Sequence, residues 1–159
     1  MSPRKSPPPA PAEPLESLWQ RLRTVARFET MMTQGPASRT GWEGVLRGTV
    51  TVEDSSDTLE FIEDGHLHPP GRQPVAMHNH LRWERLPAHL RLSHCRQGNP
   101  ILLVELVPHG PHLFTSREAH LCGADRYALE LQIHPDALHL HWRITGPRKD
   151  EHLHTTYRG

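Results

Sequence analysis

From residue 42 to the C-terminus, apolar side chains recur at every second position. Trp42, Leu46, Val50 and Val52 share one parity, with Glu43, Arg47 and Thr51 opposite. Leu59, Phe61 and Leu67 form a second such set, and Val75, Met77, Leu81 and Trp83 a third. Tyr127, Leu129, Leu131 and Ile133 alternate with Ala128, Glu130, Gln132 and His134, and Leu138, Leu140, Trp142 and Ile144 with His139, His141 and Arg143. A period of two sends successive side chains to opposite faces of an extended chain, so each run encodes a strand with one dry face. Turn sequences such as Asp54-Ser55-Ser56-Asp57, Pro69-Pro70-Gly71, Gly98-Asn99-Pro100 and Gly146-Pro147 separate the runs. The strands are expected near 24–32, 42–53, 57–68, 73–84, 88–96, 100–107, 112–122, 125–134, 137–145 and 150–158. Antiparallel strands in one sheet leave exposed edges unless the sheet closes. A ring wider than about eight strands leaves a hollow interior. The expected fold is all-β: a roughly ten-stranded antiparallel up-and-down barrel with one short N-terminal helix. A two-sheet sandwich is the competing architecture.

The N-terminal end has a different character. Residues 1–14 hold six of the 16 prolines and are expected to form a disordered tail. Leu15, Leu18, Trp19 and Leu22 then fall at helical spacing behind Pro14, which suits a helix start. Residues 15–159 are expected to form a single domain. Within it, only Ile101-Leu102-Leu103-Val104 breaks the alternation, and this run is expected to be buried on both faces where the helix packs.

Composition narrows the partners. Lys+Arg and Asp+Glu are both 18, a balance that lacks the footprint of a nucleic-acid binder. No stretch approaches the roughly 18 apolar residues of a spanning helix, so no membrane partner is expected. The N-terminus carries no apolar signal region. Cys95 and Cys122 form neither a disulfide framework nor a C-x-x-C metal motif, which fits a reducing cytoplasm. The expected partner is a small molecule, and a homodimer stays open.

The chain contains 14 histidines, with H-x-H spacing at His66/His68, His78/His80, His139/His141 and His152/His154. On a strand such pairs project from one face about 7 Å apart and can share a metal. His78, His80 and Glu84 even form part of the cupin metal pattern, which supports a metal-dependent alternative. Parity opposes it: His78, His80, His139 and His141 lie opposite the apolar sets and face outward. The reading is therefore no metal and no cofactor. His109 and His112 lie in a turn. His120 and Cys122, two apart, are too distant for a thiol–imidazole pair.

Several segments carry a family resemblance. Trp142-Arg143-Ile144-Thr145-Gly146-Pro147-Arg148-Lys149-Asp150 with Thr155-Thr156-Tyr157-Arg158 resembles the ending of the bacterial domain of unknown function family 6314. His120-Leu121-Cys122-Gly123-Ala124-Asp125-Arg126-Tyr127 is similar to its His-x-Cys-x-x-Asp-x-Tyr segment, and Phe61-Ile62-Glu63-Asp64-Gly65 to its aromatic-x-Glu-x-Gly strand. The resemblance spans roughly residues 18–158. It implies a lipocalin-like (calycin) barrel and no assigned activity. Thr24 and Ala26 stand where the family has a first-strand Gly and Trp, and His80 where it has an aromatic. In such barrels that Trp packs on an Arg near the last strand. Arg158 matches the Arg, with Trp19 or Trp42 as a substitute partner.

If the apolar parity faces inward, Glu63 is a buried carboxylate beside Phe61, with a raised pKa unless paired. Arg148 is the expected partner, ahead of Lys149. Asp125, Tyr127 and Tyr157 share inward parity. With Trp83, His120 and Trp142 they form an expected ligand site, aromatic-walled with a few polar anchors. The expected function is binding of a hydrophobic or amphipathic molecule, with Arg148 or Lys149 meeting an anionic head group. The alternative is a cofactor-free enzyme using Glu63 or His120 as acid or base.

Overall fold

The computed structural model describes residues 13–36, 38 and 43–159. The tail expected over 1–14 lies almost wholly outside the described residues, as does Trp42. One helix, α1 (Glu13–Arg23), precedes the strands β1 (Arg27–Gln34), β2 (Gly44–Ser55), β3 (Thr58–His68), β4 (Val75–Arg85) and β5 (Leu90–Arg96). There follow β6 (Asn99–Pro108), β7 (Leu113–Ser116), β8 (His120–Cys122), β9 (Asp125–Ile133), β10 (Leu138–Thr145) and β11 (Asp150–Arg158).

All pairings are antiparallel, and they form a ring. Neighbours run β10-β11-β1-β2-β3-β4-β5-β6-β7-β9, and β9 pairs back onto β10. Ten strands thus close the barrel, with β8 attached to β9 alone. Register carries the parity around the ring. Phe28 faces Gly48 and Tyr157, Phe61 faces Leu81, Leu92 faces Val104, and Leu131 faces Phe114 and Leu140. These inward sets form one core cluster.

Two expectations change in detail. The strand expected over 112–122 is split into β7 and β8. The Ser116 hydroxyl accepts the Leu129 N–H at 3.2 Å, so a side chain takes a place in the ladder there. The Ile101–Val104 run is a β-bulge, not a segment buried on both faces. Leu92 pairs with Val104 and Ser93 with Leu102, which leaves Leu103 as the extra residue. An unpaired residue of this kind re-aims its side chain. Leu103 consequently lines the interior, whereas Ile101 is 39% exposed.

The helix closes one end of the barrel. Leu15, Leu18, Trp19 and Leu22 are buried in the same cluster as Leu59, Trp83, Leu90 and Leu106. Polar anchors seat it across the turns at that end: Arg85 to Glu16 at 2.6 Å, Arg23 to Asp54 at 2.8 Å, and Arg21 to the His134 carbonyl at 2.8 Å. The Arg85 guanidinium also lies 5.0 Å from the Trp19 ring centre. Trp19 thus packs on Arg85, not on Arg158 as expected. Arg158 alternates with inward Tyr157 and lies with Arg27 and Arg47 on the outside. Across β2 and β3, Gly48 faces Gly65, and a Cβ on Gly65 would collide with the Arg47 carbonyl. Only glycines allow the two backbones to approach this closely.

Burial of the helix face contributes more than its exposed ion pairs, each of which is worth about 0–1 kcal/mol. Trp19→Ala should therefore destabilise the barrel by about 3–5 kcal/mol in urea unfolding. Glu16→Gln should cost less than about 1 kcal/mol.

Candidate functional site: a cavity at the open end

Beyond the layer of Leu59, Phe61 and Trp83 the barrel is hollow. The cavity measures about 370 Å³ and opens at the end away from α1. Its wall is mostly apolar, with Phe28, Met32, Leu46, Leu81, Trp142 and Ile144 among its residues. Each lies on the inward parity of its strand.

Polar groups gather at the floor. Glu63 is 6% exposed and accepts two bonds, from the Tyr157 hydroxyl at 2.5 Å and from Asn79 Nδ2 at 3.2 Å. Burial pushes its carboxyl above the ordinary range, and the two hydrogen bonds only partly oppose this. Tyr157 is pushed well above its ordinary value by its own burial, then by the charge and hydrogen bond of Glu63. Its ring meets Phe61 edge-on at 5.4 Å, which holds the hydroxyl toward Glu63. Thr30 and Thr155 share a buried 2.7 Å hydroxyl bond beside them. His94 also lines the cavity, its imidazole pushed down by burial and then by the Arg96 and His80 charges.

At the mouth, Tyr127 and Trp142 pack edge-to-face at 6.4 Å. Lys149 lies 3.4 Å from Asp125. Burial raises the Tyr127 hydroxyl, and the Lys149 charge opposes it.

The structure thus brings Glu63, Tyr127, Trp142 and Tyr157 around one cavity, with Asp125 and Lys149 at its rim. It places the other expected site residues elsewhere. Trp83 is fully buried in the layer beneath. His120 pairs with Tyr127 on β8 but does not line the cavity. Arg148 is exposed at the β10–β11 turn, so it is not the partner of Glu63. The turn closes through Gly146 N–H to the Lys149 carbonyl, and it is Lys149 that shares the parity of Glu151 and Leu153. Sequence reasoning missed Asn79, His94 and Thr30. The signal was present: Asn79 lies between Met77 and Leu81 on the inward parity, and His94 follows Leu90 and Leu92.

The outward histidines form separate groups. His78 pairs with Asp64 at 2.7 Å and His80 with Glu60 at 2.9 Å, so His78, His80 and Glu84 do not converge as the cupin-like pattern required. Among the described residues, the three donors close enough to share an ion are Glu60, His80 and Cys95. Both Glu60 oxygens are already engaged, Oε1 by Arg82 at 2.8 Å and Oε2 by His80. Burial pushes this carboxyl up, but the Arg82 and His80 bonds outweigh it and hold it below the ordinary range. The group is internally neutralised, and a guanidinium lies where it would repel a cation. On the opposite side of the barrel, His139 Nδ1 and His154 Nε2 are 2.9 Å apart, with His141 stacked on His154 at 4.2 Å and His134 against His139 at 4.6 Å. Burial first, and neighbouring charges second, hold the His139 and His154 pKa values down.

A closed ten-stranded antiparallel barrel, plugged by a helix and hollow toward the other end, is the class of protein that this fold and cavity define. Within that class, the chain belongs to the family of unknown function DUF6314, which it matches over residues 15–159. No curated protein and no solved structure matches it.

Two pH effects on stability follow. The Glu63 pKa is raised on folding above its ordinary 4.5, so its contribution is fullest below that value and is lost as pH rises through the folded pKa. Glu63→Gln should melt a few degrees above the wild type at pH 8, and the difference should shrink toward pH 4. His139 and His154 are depressed on folding below their ordinary 6.5, so their contribution is present above that value and is lost as pH falls through the folded values. His139→Gln should therefore flatten the decline in melting temperature between pH 7 and pH 5.

Proposed function

We propose that this barrel binds a small, mostly apolar molecule in its interior, in the manner of a lipocalin-like carrier. The observation that carries this reading is the cavity of about 370 Å³, whose apolar wall surrounds a polar cluster at Glu63, Tyr157 and Asn79. Convergent polar groups in an apolar concavity are the usual make-up of a small-molecule site. The ligand enters at the end bordered by Tyr127, Trp142 and Lys149, because α1 occupies the other. An anionic group on its outer end would meet Lys149, in competition with Asp125.

A second reading has one supporting observation. A carboxyl held above its ordinary range in a dry site is suited to acid–base work. Under this reading Glu63 is the proton carrier, and His120, away from the cavity, is not.

Native mass spectrometry of freshly purified protein should show a retained small molecule. Met32→Trp fills the cavity and should lower the affinity for an uncharged naphthyl dye at least tenfold, with the barrel still folded by circular dichroism. Uptake unchanged by Met32→Trp would place the dye outside the cavity and overturn the reading.

A further inference from the structure

The cavity is electrostatically one-sided. Its lining includes no lysine or arginine; it includes the Glu63 carboxyl and the imidazoles of His78, held by Asp64, and His94, held down by burial. Among the described residues, Lys149 and Arg96 stand toward the open end. Lys149 is held by Asp125 at 3.4 Å, and the exposed Arg96 donates to His94 Nδ1 at 3.3 Å. The floor therefore combines the Glu63 carboxyl with the Tyr157, Thr30 and Thr155 hydroxyls, and no lysine or arginine is among the lining residues.

The remaining valences at the floor are mainly acceptors. An ionised carboxylate offers about four acceptor positions, and Tyr157 and Asn79 each use one on Glu63. The Thr30 and Thr155 hydroxyls and the Tyr157 oxygen add more within the same space. The aromatic residues Phe28, Tyr157 and Trp142 border the cavity, and an aromatic ring attracts a cation over its face.

We propose that the ligand is a primary amine, bound with its ammonium group at the cavity floor against Glu63 and its apolar body along the Phe28, Leu46, Leu81 and Ile144 wall. The proposal rests on the interior-binding reading above and names its ligand class. An ammonium brings three donors to a floor rich in acceptors, and it brings the positive charge the floor lacks. A carboxylate in the same pose would meet Glu63 as a like charge and find few donors. An alcohol could hydrogen-bond but would carry no charge. Both charged partners give up water, so the effect appears as a preference for the amine over its neutral analogue rather than as extreme affinity.

The test is isothermal titration calorimetry at pH 7 with three probes of one shape: n-octylamine, n-octanol and octanoate. The amine should bind at least about tenfold more tightly than the alcohol, and the alcohol more tightly than the carboxylate. In Glu63→Gln the ratio of amine to alcohol affinity should fall to about one. Glu53→Gln, on the exposed outer face of β2, should leave the preference for the amine unchanged and so show that overall charge is not the cause. Equal binding of all three probes would overturn the amine assignment and leave the interior-binding reading standing. Tightest binding of octanoate would overturn it in favour of Lys149. Binding of none of the three would overturn both readings. The wild-type comparison decides the matter even if Glu63→Gln does not fold.

Discussion

The pairing of β9 with β10 is the bond on which the rest of the molecule depends. It returns the hydrogen-bond ladder to its beginning and leaves the ring with no open edge along those strands. Closure also makes an inside. Once the ring is complete, the inward parity of every strand points into one volume, and a single polar residue on that parity becomes a buried group. The helix completes the enclosure at one end, where Trp19, fully buried, joins the layer of Leu59 and Trp83. The hollow is therefore displaced toward the other end.

The interior carboxyl is the feature that burial alone would not favour. Glu63 has Tyr157 and Asn79 as donors, yet its pKa remains raised, because neutral donors compensate only part of the lost hydration. A fold selected for stability alone would place an apolar residue there. The outward histidines obey a different logic: they pair with carboxylates on neighbouring strands or with one another.

Much of this was legible from one-dimensional periodicity. The alternation of Leu138, Leu140, Trp142 and Ile144 with His139, His141 and Arg143 predicts which face each residue occupies, and the same argument places Glu63, Tyr127 and Tyr157 inside. It stops at depth along the barrel. Trp83 and Trp142 share inward parity, but Trp83 is in the layer under the helix and Trp142 at the cavity. The alternation also failed where the ladder was irregular. The bulge at Leu92/Ser93 turned a hydrophobic run into one extra inward residue, Leu103, and the Ser116 side chain interrupted a strand.

Strand number, strand direction and inward parity were present in the chain, because they depend on side-chain period and turn chemistry over a few residues. The partners across the interior depended on closure. Glu63 meets Tyr157, 94 residues away, because closure sets β3 and β11 three places apart in the ring with both side chains pointing inward, and spacing cannot encode that distance. The same holds for Lys149, which reaches Asp125 because the β8–β9 and β10–β11 turns lie at one end. Local sequence sets which way a side chain points, and the closed ladder sets what it meets.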